Sequence, residues 1–331
     1  MVQTLLTIGY TSTDKILRAT MKSINLKPVL KKVFVMLLLL LSYQLKAQQD
    51  PQFTQYMYNT ITVNPAYAGS RGHLSILGMH RSQWVGINGA PTSQVLAVDG
   101  PVGNRVGLGV VATYDELGPT NELFLDTNFA YTIPVGENNE KLSFGLKGGG
   151  RIFNVDFSQG RIQNPDASFQ SNIENRFFPT IGAGVYYHTD RSYWGLAVPN
   201  FFSQDHYDGS TQELATERLH YFLMGGLIRD LNADIKFKPA LFVKWVPGAP
   251  LIADVSANFL IRETFTAGVA YRWGDSVSGL FGVQISPALS VGYAYDQTTT
   301  DLRNYSSGTH EVFIRFEFIS KENRLQSPRF Y

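Results

Sequence analysis

An alternation of apolar and polar residues with a period of two recurs from about Leu74 to Phe318. In residues 123–133, Leu125 and Phe129 fall on one face of an extended strand, and Asp126 and Asn128 fall on the other. A strand that is buried on both sides is apolar in both registers. Many strands with one apolar and one polar face are typical of a membrane β-barrel, which meets lipid on its outside. The pattern therefore predicts an all-β fold, a transmembrane antiparallel up-and-down β-barrel.

The alternation divides into about fourteen candidate strands, most of them close to the ~9–11 residues that a tilted strand needs to cross a bilayer. These are residues 74–80, 92–100, 105–115, 121–134, 141–154, 178–188, 193–199, 220–231, 235–246, 250–261, 264–272, 276–285, 289–296 and 309–318. The long connections are residues 81–91, 155–177, 201–219 and 297–308. Outer-membrane barrels keep short turns in the periplasm and long loops outside. An even number of strands then predicts that both termini lie in the periplasm. A soluble β-sandwich or a lipocalin-like barrel, with its apolar side inward, is the alternative.

The charged residues avoid the apolar register, as a lipid-facing Lys or Arg at mid-depth costs ~2–4 kcal/mol. The predicted lumenal basic set is Lys147, Arg151, Lys236, Lys238, Lys244, Arg272 and Arg315. Such a set suits an anion-preferring channel or a cradle for an acidic protein segment. Alternatively, these cations pair with inward carboxylates such as Asp126, Asp254, Glu311 and Glu317 and only brace the lumen.

Several glycines fall on the predicted lumenal face, where a strand rarely uses them. They are Gly107, Gly109, Gly145, Gly149, Gly268 and Gly292. Either the wall curves sharply, or a plug or bound segment packs closely against it, or barrel strands simply tolerate glycine. The pattern does not separate these alternatives.

The N-terminal part of the chain indicates export. A lysine-containing region from Met21 precedes the apolar run 33–41 and the small residue Ala47, which is the pattern of a signal peptide. The predicted organisation is an upstream extension (1–20), a signal peptide (21–47), an N-terminal periplasmic or lumenal segment (48–72), the barrel (73–318) and a periplasmic tail (319–331). The formal charge of +1 and the absence of a basic arm argue against a nucleic-acid partner.

No constellation in the sequence predicts catalysis, a cofactor or a metal. The run Asp205-His206-Tyr207-Asp208, with Ser203 and Ser210 nearby, lies in a predicted outer loop. A catalytic triad needs an orientation that adjacency in a loop does not supply, and the spacing does not match a calcium loop. We predict partner contacts instead, from loop residues Trp84, Phe157, Phe169, Phe202, His206, Tyr207 and Asp208.

Four stretches carry a family resemblance. They are QQDPQFTQYMYNTITVNPAYAG (48–69), RSQWVGINGAP (81–91), GLGVVATYDELGP (107–119) and GTHEVFIRFEF (308–318). The chain resembles the PorP/SprF family, membrane proteins linked to the type IX secretion system of Bacteroidetes. The Asn-Pro-Ala-Tyr-Ala-Gly element at 64–69 and the Arg-x-Gln-Trp element at 81–84 are the most specific.

The resemblance implies a non-enzymatic outer-membrane barrel of the secretion and gliding machinery. It further implies binding and anchoring of the C-terminal domain of secreted adhesin-like cargo at the cell surface, with periplasmic secretion components as further partners. The alternative is an outer-membrane channel for small anionic solutes. The resemblance assigns no role to residues 64–69 and 81–84, and a structural role is one interpretation.

Overall fold

The fold is that of a closed antiparallel β-barrel, seen in a computed structural model that describes residues 51–136, 139–159, 172–202 and 218–319. The strands are β1 Leu74–Ser82, β2 Thr92–Pro101, β3 Val106–Leu117, β4 Thr120–Pro134, β5 Lys141–Val155, β6 Ile173–His188, β7 Ser192–Val198, β8 Tyr221–Leu227, β9 Arg229–Asp230, β10 Ile235–Trp245, β11 Ile252–Ile261, β12 Phe265–Arg272, β13 Ser276–Ser286, β14 Leu289–Thr298 and β15 Thr309–Phe318. Among the described residues, no helix is long and apolar enough to cross a membrane.

Consecutive strands pair with each other except β8 with β9, and β1 pairs with β15 to close the wall. The short strands β8 and β9 both pair with β10 and are separated by Ile228, so together they occupy one place in the wall. The wall therefore has fourteen strand positions. This confirms the predicted barrel, and the strands differ from the predicted ones mainly at their ends. The largest change is in β6, which begins at Ile173 rather than at residue 178.

The side-chain register is the one that the alternation predicts. On β15, Val312 and Ile314 are 48% and 53% exposed on the outer face, whereas Glu311 and Arg315 are 1% and 2% exposed inside. Outward aromatics near strand ends, such as Tyr131 and Trp245, are also exposed, as in the aromatic girdles of membrane barrels. The apolar register thus faces lipid.

The connections define two ends of the barrel. The long connections that join β1 to β2, β5 to β6, β7 to β8 and β14 to β15 lie at one end, which we call the loop end. The opposite end, the turn end, has short connections together with the start of β1 and the end of β15, and the short β3–β4 and β12–β13 turns lie at the loop end. In outer-membrane barrels the loop end faces outside.

Residues 51–72, which we call the plug, lie inside the barrel. The plug contains a single helical turn, Thr60–Val63, and a 3-10 turn, Pro65–Tyr67. Its side chains Phe53, Tyr56, Ile61 and Tyr67 are all less than 7% exposed and form one apolar core with inward wall residues. The lumen of the described structure is therefore a packed interior rather than an open pore.

The plug runs from the loop end to the turn end. Gln52 bonds to Asp254 near the start of β11 at the loop end, whereas Arg71 pairs with Glu317 at the turn end of β15. The start of β1 and the end of β15 lie at the turn end, so the plug crosses the lumen from the loop end before the wall begins. The alternation carries no information on the direction of such an irregular segment.

The inward glycines fall into two groups. A Cβ atom at Gly107, Gly145 or Gly109 would overlap Ala68, Ala66 or Ile61 of the plug, and one at Gly292 would overlap Phe313 and crowd Gln55. At Gly149 and Gly268 it would overlap only neighbouring wall residues, Asp126 and Asn258 among them. Most of these glycines therefore leave room for the plug, and the other two relieve crowding within the wall.

A first prediction concerns the direction of the plug. An epitope tag inserted directly before Pro51 should bind antibody on intact cells, because Pro51 lies at the loop end. The same tag inserted between Gly103 and Asn104, in the turn after β2, should bind only after the outer membrane is permeabilised. A tag before Pro51 that stays hidden until permeabilisation would contradict the described path.

A second prediction compares two glycines on β5. Gly145→Ala should lower barrel stability by ~1–3 kcal/mol or more, as overpacking does, because its Cβ would overlap the backbone of Ala66. Gly148→Ala is the control, since a Cβ at Gly148 meets nothing within 4 Å. The temperature at which the purified barrels lose their compact gel mobility measures the effect. Equal transition temperatures would show that the plug does not press on β5.

Candidate functional site: the plug and its buried ion pairs

The plug is held at the loop end by a buried cluster around Arg81. The Arg81 guanidinium lies 2.8 Å from Glu311 Oε2 and 2.9 Å from Asp296 Oδ2. The backbone N–H groups of Thr54 and Gln55 donate to the two carboxylate oxygens of Glu311, at 2.9 and 2.8 Å, and Thr54 Oγ1 donates to Asp296 at 2.7 Å. Buried charges need such partners to offset desolvation. The cluster therefore joins β1, β14 and β15 to the plug.

A second ion pair lies beside this cluster. Arg272 Nε and Nη2 donate to the two carboxylate oxygens of Asp254 at 2.9 and 3.0 Å. Asp254 also accepts a bond of 3.1 Å from Gln52 Nε2. This fork arrangement is the strong geometry for an arginine and a carboxylate, and it fixes the start of the plug against β11 and β12.

Aromatic contacts hold the middle of the plug. The ring centroids of Tyr56 and Phe242 are 4.8 Å apart, and those of Tyr58 and Phe313 are 4.6 Å apart. Arg315 donates to the backbone carbonyl of Tyr58, and the Lys238 ammonium lies 6.0 Å from the Tyr58 ring centroid. Two of the predicted lumenal cations thus contact the plug itself.

The Asn-Pro-Ala-Tyr-Ala-Gly element at 64–69 forms the base of the plug. Asn64 Oδ1 accepts from the Ala66 N–H at 3.0 Å, which caps the 3-10 turn, and Asn64 Nδ2 donates to the Val185 carbonyl of β6 at 3.0 Å. Gly69 has a φ of +71°, a conformation that favours glycine, and its N–H donates to Asp99 of β2 at 3.0 Å. Each of these contacts seats the element on the inner wall, so its role in the structure is to fix the turn end of the plug.

A cavity remains at the loop end on the side of the lumen that the plug does not fill. Its volume is about 100 Å³, and we call it the basic cavity. Lys147, Arg151, Lys244 and the single carboxylate Asp126 supply its charged lining among the described residues. The remainder of its lining is mainly apolar and aromatic, with Phe53, Tyr56, Phe124, Phe222 and Phe242.

The cations of the basic cavity have partners within the protein. Lys147 Nζ lies 2.8 Å from Asp126 Oδ2, and Asp126 Oδ1 accepts from Thr180 Oγ1 at 2.8 Å. Arg151 lies 3.4 Å from Glu122, and its guanidinium is 5.5 Å from the Phe124 ring centroid. Lys244 is 1% exposed and lies 5.9 Å from the Phe222 ring centroid.

The predicted site residues are thus brought together only in part. Lys147, Arg151 and Lys244 share the basic cavity, whereas Lys238, Arg272 and Arg315 lie elsewhere in the lumen. Lys236 departs from the prediction, since its side chain is 34% exposed at the turn end and pairs with Glu263 at 2.7 Å. Lys236 has the inward register, but it lies at the end of β10, so its side chain reaches the turn end instead of lying in the lumen.

The predicted partner-binding loop residues are only partly described. The backbone N–H of Trp84 donates to Thr309 Oγ1 at 3.1 Å, and this bond joins the β1–β2 loop to the start of β15. Phe157 packs on the small cluster of Phe153, Val155 and Phe178, and Phe202 is exposed. Phe169, His206, Tyr207 and Asp208 lie outside the described residues, as do Ser203, Asp205 and Ser210.

Sequence reasoning missed Arg71 and Arg81 as lumenal cations. Arg81 lies on β1 in register with Leu77 and Met79, which are apolar because the plug packs on them. The inward face of β1 therefore does not look like a polar lumenal face. Arg71 precedes the first strand and has no periodicity. No group of three or more His, Cys, Asp or Glu that could hold a metal occurs in the described part of the chain.

A closed barrel with a lipid-facing apolar register and its own N-terminal segment in the lumen defines an outer-membrane β-barrel. The protein-family model described as type IX secretion system membrane protein PorP/SprF matches residues 45–316 of this chain. The chain belongs to the PorP/SprF family, which confirms the resemblance. It is a type IX secretion outer-membrane barrel.

The chain is similar to several solved structures. The Ralstonia pickettii toluene transporter TbuX has a TM-score of 0.47 and 11% identity over 80% of this chain and 93% of that chain. The Acinetobacter baumannii outer membrane protein Omp33 has a TM-score of 0.46 and 7% identity, covering 75% and 98%. A Pseudomonas aeruginosa FadL homologue has a TM-score of 0.45 and 12% identity, covering 82% and 95%. No curated protein matches this chain in sequence.

A third prediction tests the Arg81 cluster. Arg81→Met should destabilise the folded barrel by ~3–5 kcal/mol, because it leaves buried carboxylates without their cation. Arg262→Met is the control, since Arg262 and Asp234 are 78% and 66% exposed and 4.0 Å apart, and exposed pairs contribute ~0–1 kcal/mol. The measurement is denaturant unfolding in detergent, together with protease cleavage of the plug. Similar losses in both variants would argue against a clamp at Arg81.

Proposed function

We propose that this barrel binds and anchors the C-terminal domain of secreted adhesin-like cargo at the cell surface, and that this role is non-catalytic. Membership of a type IX secretion family supports a role in handling secreted proteins. Association with other components of that machinery, including periplasmic ones at the turn end, forms part of the same proposal.

The observation that carries the proposal is an exposed apolar rim at the loop end. Its members lie in connections rather than on the lipid-facing wall, and they are 36–75% exposed: Val85, Phe201, Phe202, Leu302 and Tyr305. Apolar and aromatic side chains among polar neighbours are typical of protein interfaces. The rim therefore suits contact with another protein.

The plug makes the rim a stable platform. The β1–β2 loop and the β14–β15 loop are joined where the Val85 N–H donates to the Gly308 carbonyl at 2.9 Å and the Ser307 N–H donates to the Val85 carbonyl at 2.7 Å. Both loops adjoin strands that contribute Arg81, Asp296 and Glu311 to the buried cluster. A preorganised surface loses less conformational entropy on binding.

The alternative of a channel for anionic solutes is less well supported. The plug occupies the lumen from end to end, and Arg272 and Arg315 contact Asp254 and the plug backbone. An anion path along these cations would have to displace the plug.

A fourth prediction tests anchoring. Replacing residues 203–217 by a short Gly-Ser linker, or Phe201 and Phe202 by Ser, should release cargo with type IX C-terminal domains from cells into the medium. Val102→Ser with Leu231→Ser is the matched control, since both side chains are exposed at the turn end. Proteomics of the cell surface and the medium, with heat-modifiable gel migration to verify folding, gives the readout. Normal retention by both rim variants would refute the role of the rim.

A further inference from the structure

We infer that the outer face of the barrel carries a binding site for a lipid with an uncharged, sugar-type headgroup. The site is a groove of about 590 Å³ on the outward side of β1, β2, β3 and β15, which we call the outer groove. Among its outward lining residues are Gly78, His80, Gln94, Leu96, Ala112 and Ile314. The inference does not depend on the proposed anchoring function, because it concerns the wall and not the rim.

The shape of the outer groove comes from two small residues. Gly78 faces outward on β1 between Ile314 of β15 and Leu96 of β2, and Ala112 faces outward beside Leu96 on β3. Leu96 and Ile314 are 55% and 53% exposed, so they stand above the floor that Gly78 forms. A Cβ atom at Gly78 would meet only Ile314 Cγ2 within 4 Å, at 3.5 Å. The space over Gly78 is therefore open to an acyl chain.

The loop-end part of the outer groove is polar. His80 and Gln94 are cross-strand neighbours, and both are exposed on the outer face. His80 Nε2 lies 3.1 Å from Ser82 Oγ, and the Gln94 amide makes no hydrogen bond to any residue that the structure describes. A polar group that faces lipid is costly unless it has a partner. The two side chains therefore favour a bound molecule with hydrogen-bonding groups.

Other strands present apolar or aromatic residues outward near the loop end. Tyr221 on β8, Trp245 on β10 and Val277 on β13 are 37%, 48% and 48% exposed. Such residues are typical of the lipid-facing band and its aromatic girdle. His80 and Gln94 depart from that pattern, so a general requirement of the bilayer does not account for them.

The order of polar and apolar parts along the outer groove matches that of an outer-leaflet lipid. His80 and Gln94 lie nearer the loop end than Gly78 and Leu96, and the loop end of an outer-membrane barrel faces outside. A headgroup at His80 and Gln94 would place its acyl chain over Gly78, deeper in the membrane.

The lining indicates an uncharged headgroup. It lies entirely within the described wall and contains no Lys, Arg, Asp or Glu, whereas phosphate is commonly held by Arg or Lys. The imidazole of His80, the amide of Gln94 and the phenol of Tyr114 supply both donors and acceptors, which suits the hydroxyl groups of a sugar.

The size of the outer groove favours one lipid molecule over a second protein. Its volume of about 590 Å³ lies within the ~300–1,000 Å³ of typical small-molecule sites. A stable protein interface instead covers ~800 Å² on each partner.

The binding test uses the full-length barrel, purified in lauryldimethylamine oxide, which has no sugar, and reconstituted in phosphatidylcholine nanodiscs. The discs contain small equal amounts of monogalactosyldiacylglycerol and phosphatidic acid with the same acyl chains. Native mass spectrometry of barrels released from the discs counts the lipids that remain bound. Galactolipid adducts should exceed phosphatidic acid adducts at least about fivefold, the effect of one net hydrogen bond. Equal retention of the two lipids would overturn the inference.

Three variants locate the site. His80→Leu and Gln94→Leu should each lower the galactolipid excess about fivefold, because each removes a hydrogen-bonding group, and Gly78→Leu should abolish the adducts by filling the floor. Gly148→Leu and Thr127→Leu are the matched controls and should have no effect, since they change an open outward glycine on β5 and an outward polar residue on β4, both outside the groove. Heat-modifiable migration verifies that each variant folds. Unchanged adducts in Gly78→Leu, or an equal loss in the controls, would place the lipid elsewhere and overturn the inference.

The same spectra test a protein occupant. If the outer groove binds a second copy of this chain, the discs will hold paired barrels, Gly78→Leu will separate them, and the two lipids will be retained equally. That result would overturn the lipid site. The lipid measurement involves no cargo, so its failure and the failure of the anchoring function are distinguishable.

Discussion

The structure depends on the pairing of charges inside a wall that lipid surrounds. Carboxylates such as Glu311 and Asp296 lie within the barrel because the outward register must be apolar, and once buried they require partners. Arg81 supplies one partner, and the backbone N–H groups of the plug supply others. The lumen is therefore organised by satisfaction of buried polar groups as much as by apolar packing.

The plug has both kinds of interaction along its length. Ion pairs and hydrogen bonds hold its start and its base, and Tyr56, Tyr58 and Ile61 pack between them in the apolar core. Glycines such as Gly107 and Gly145 let its backbone approach the wall closely. A barrel built in this way is a rigid support for its loops, and this rigidity supports the proposed binding role.

The wall was predictable in detail, and the interior was not. Alternation fixed nearly every strand because a lipid-facing position tolerates few polar residues. On β1 the inward residues Leu77 and Met79 are apolar because they pack in the core that includes the plug, so this face did not look lumenal in the sequence. Most of the lumenal cations were identifiable by register. Which of them contact the plug and which line the basic cavity depends on the position of the plug. The inward glycines indicate in the sequence where the plug approaches the wall. They are ambiguous, because Gly149 and Gly268 face inward for a different reason, which is crowding between neighbouring wall residues.

The amino-acid sequence by itself determined the barrel, its fourteen strand positions and which residues face lipid, because these follow from a local period of two imposed by a bilayer. Only the tertiary structure decided that residues 51–72 enter from the loop end, that Arg81 holds them, and that Lys147, Arg151 and Lys244 share a cavity. Those features join residues far apart in the chain through packing and charge pairing, and no local pattern specifies such pairs.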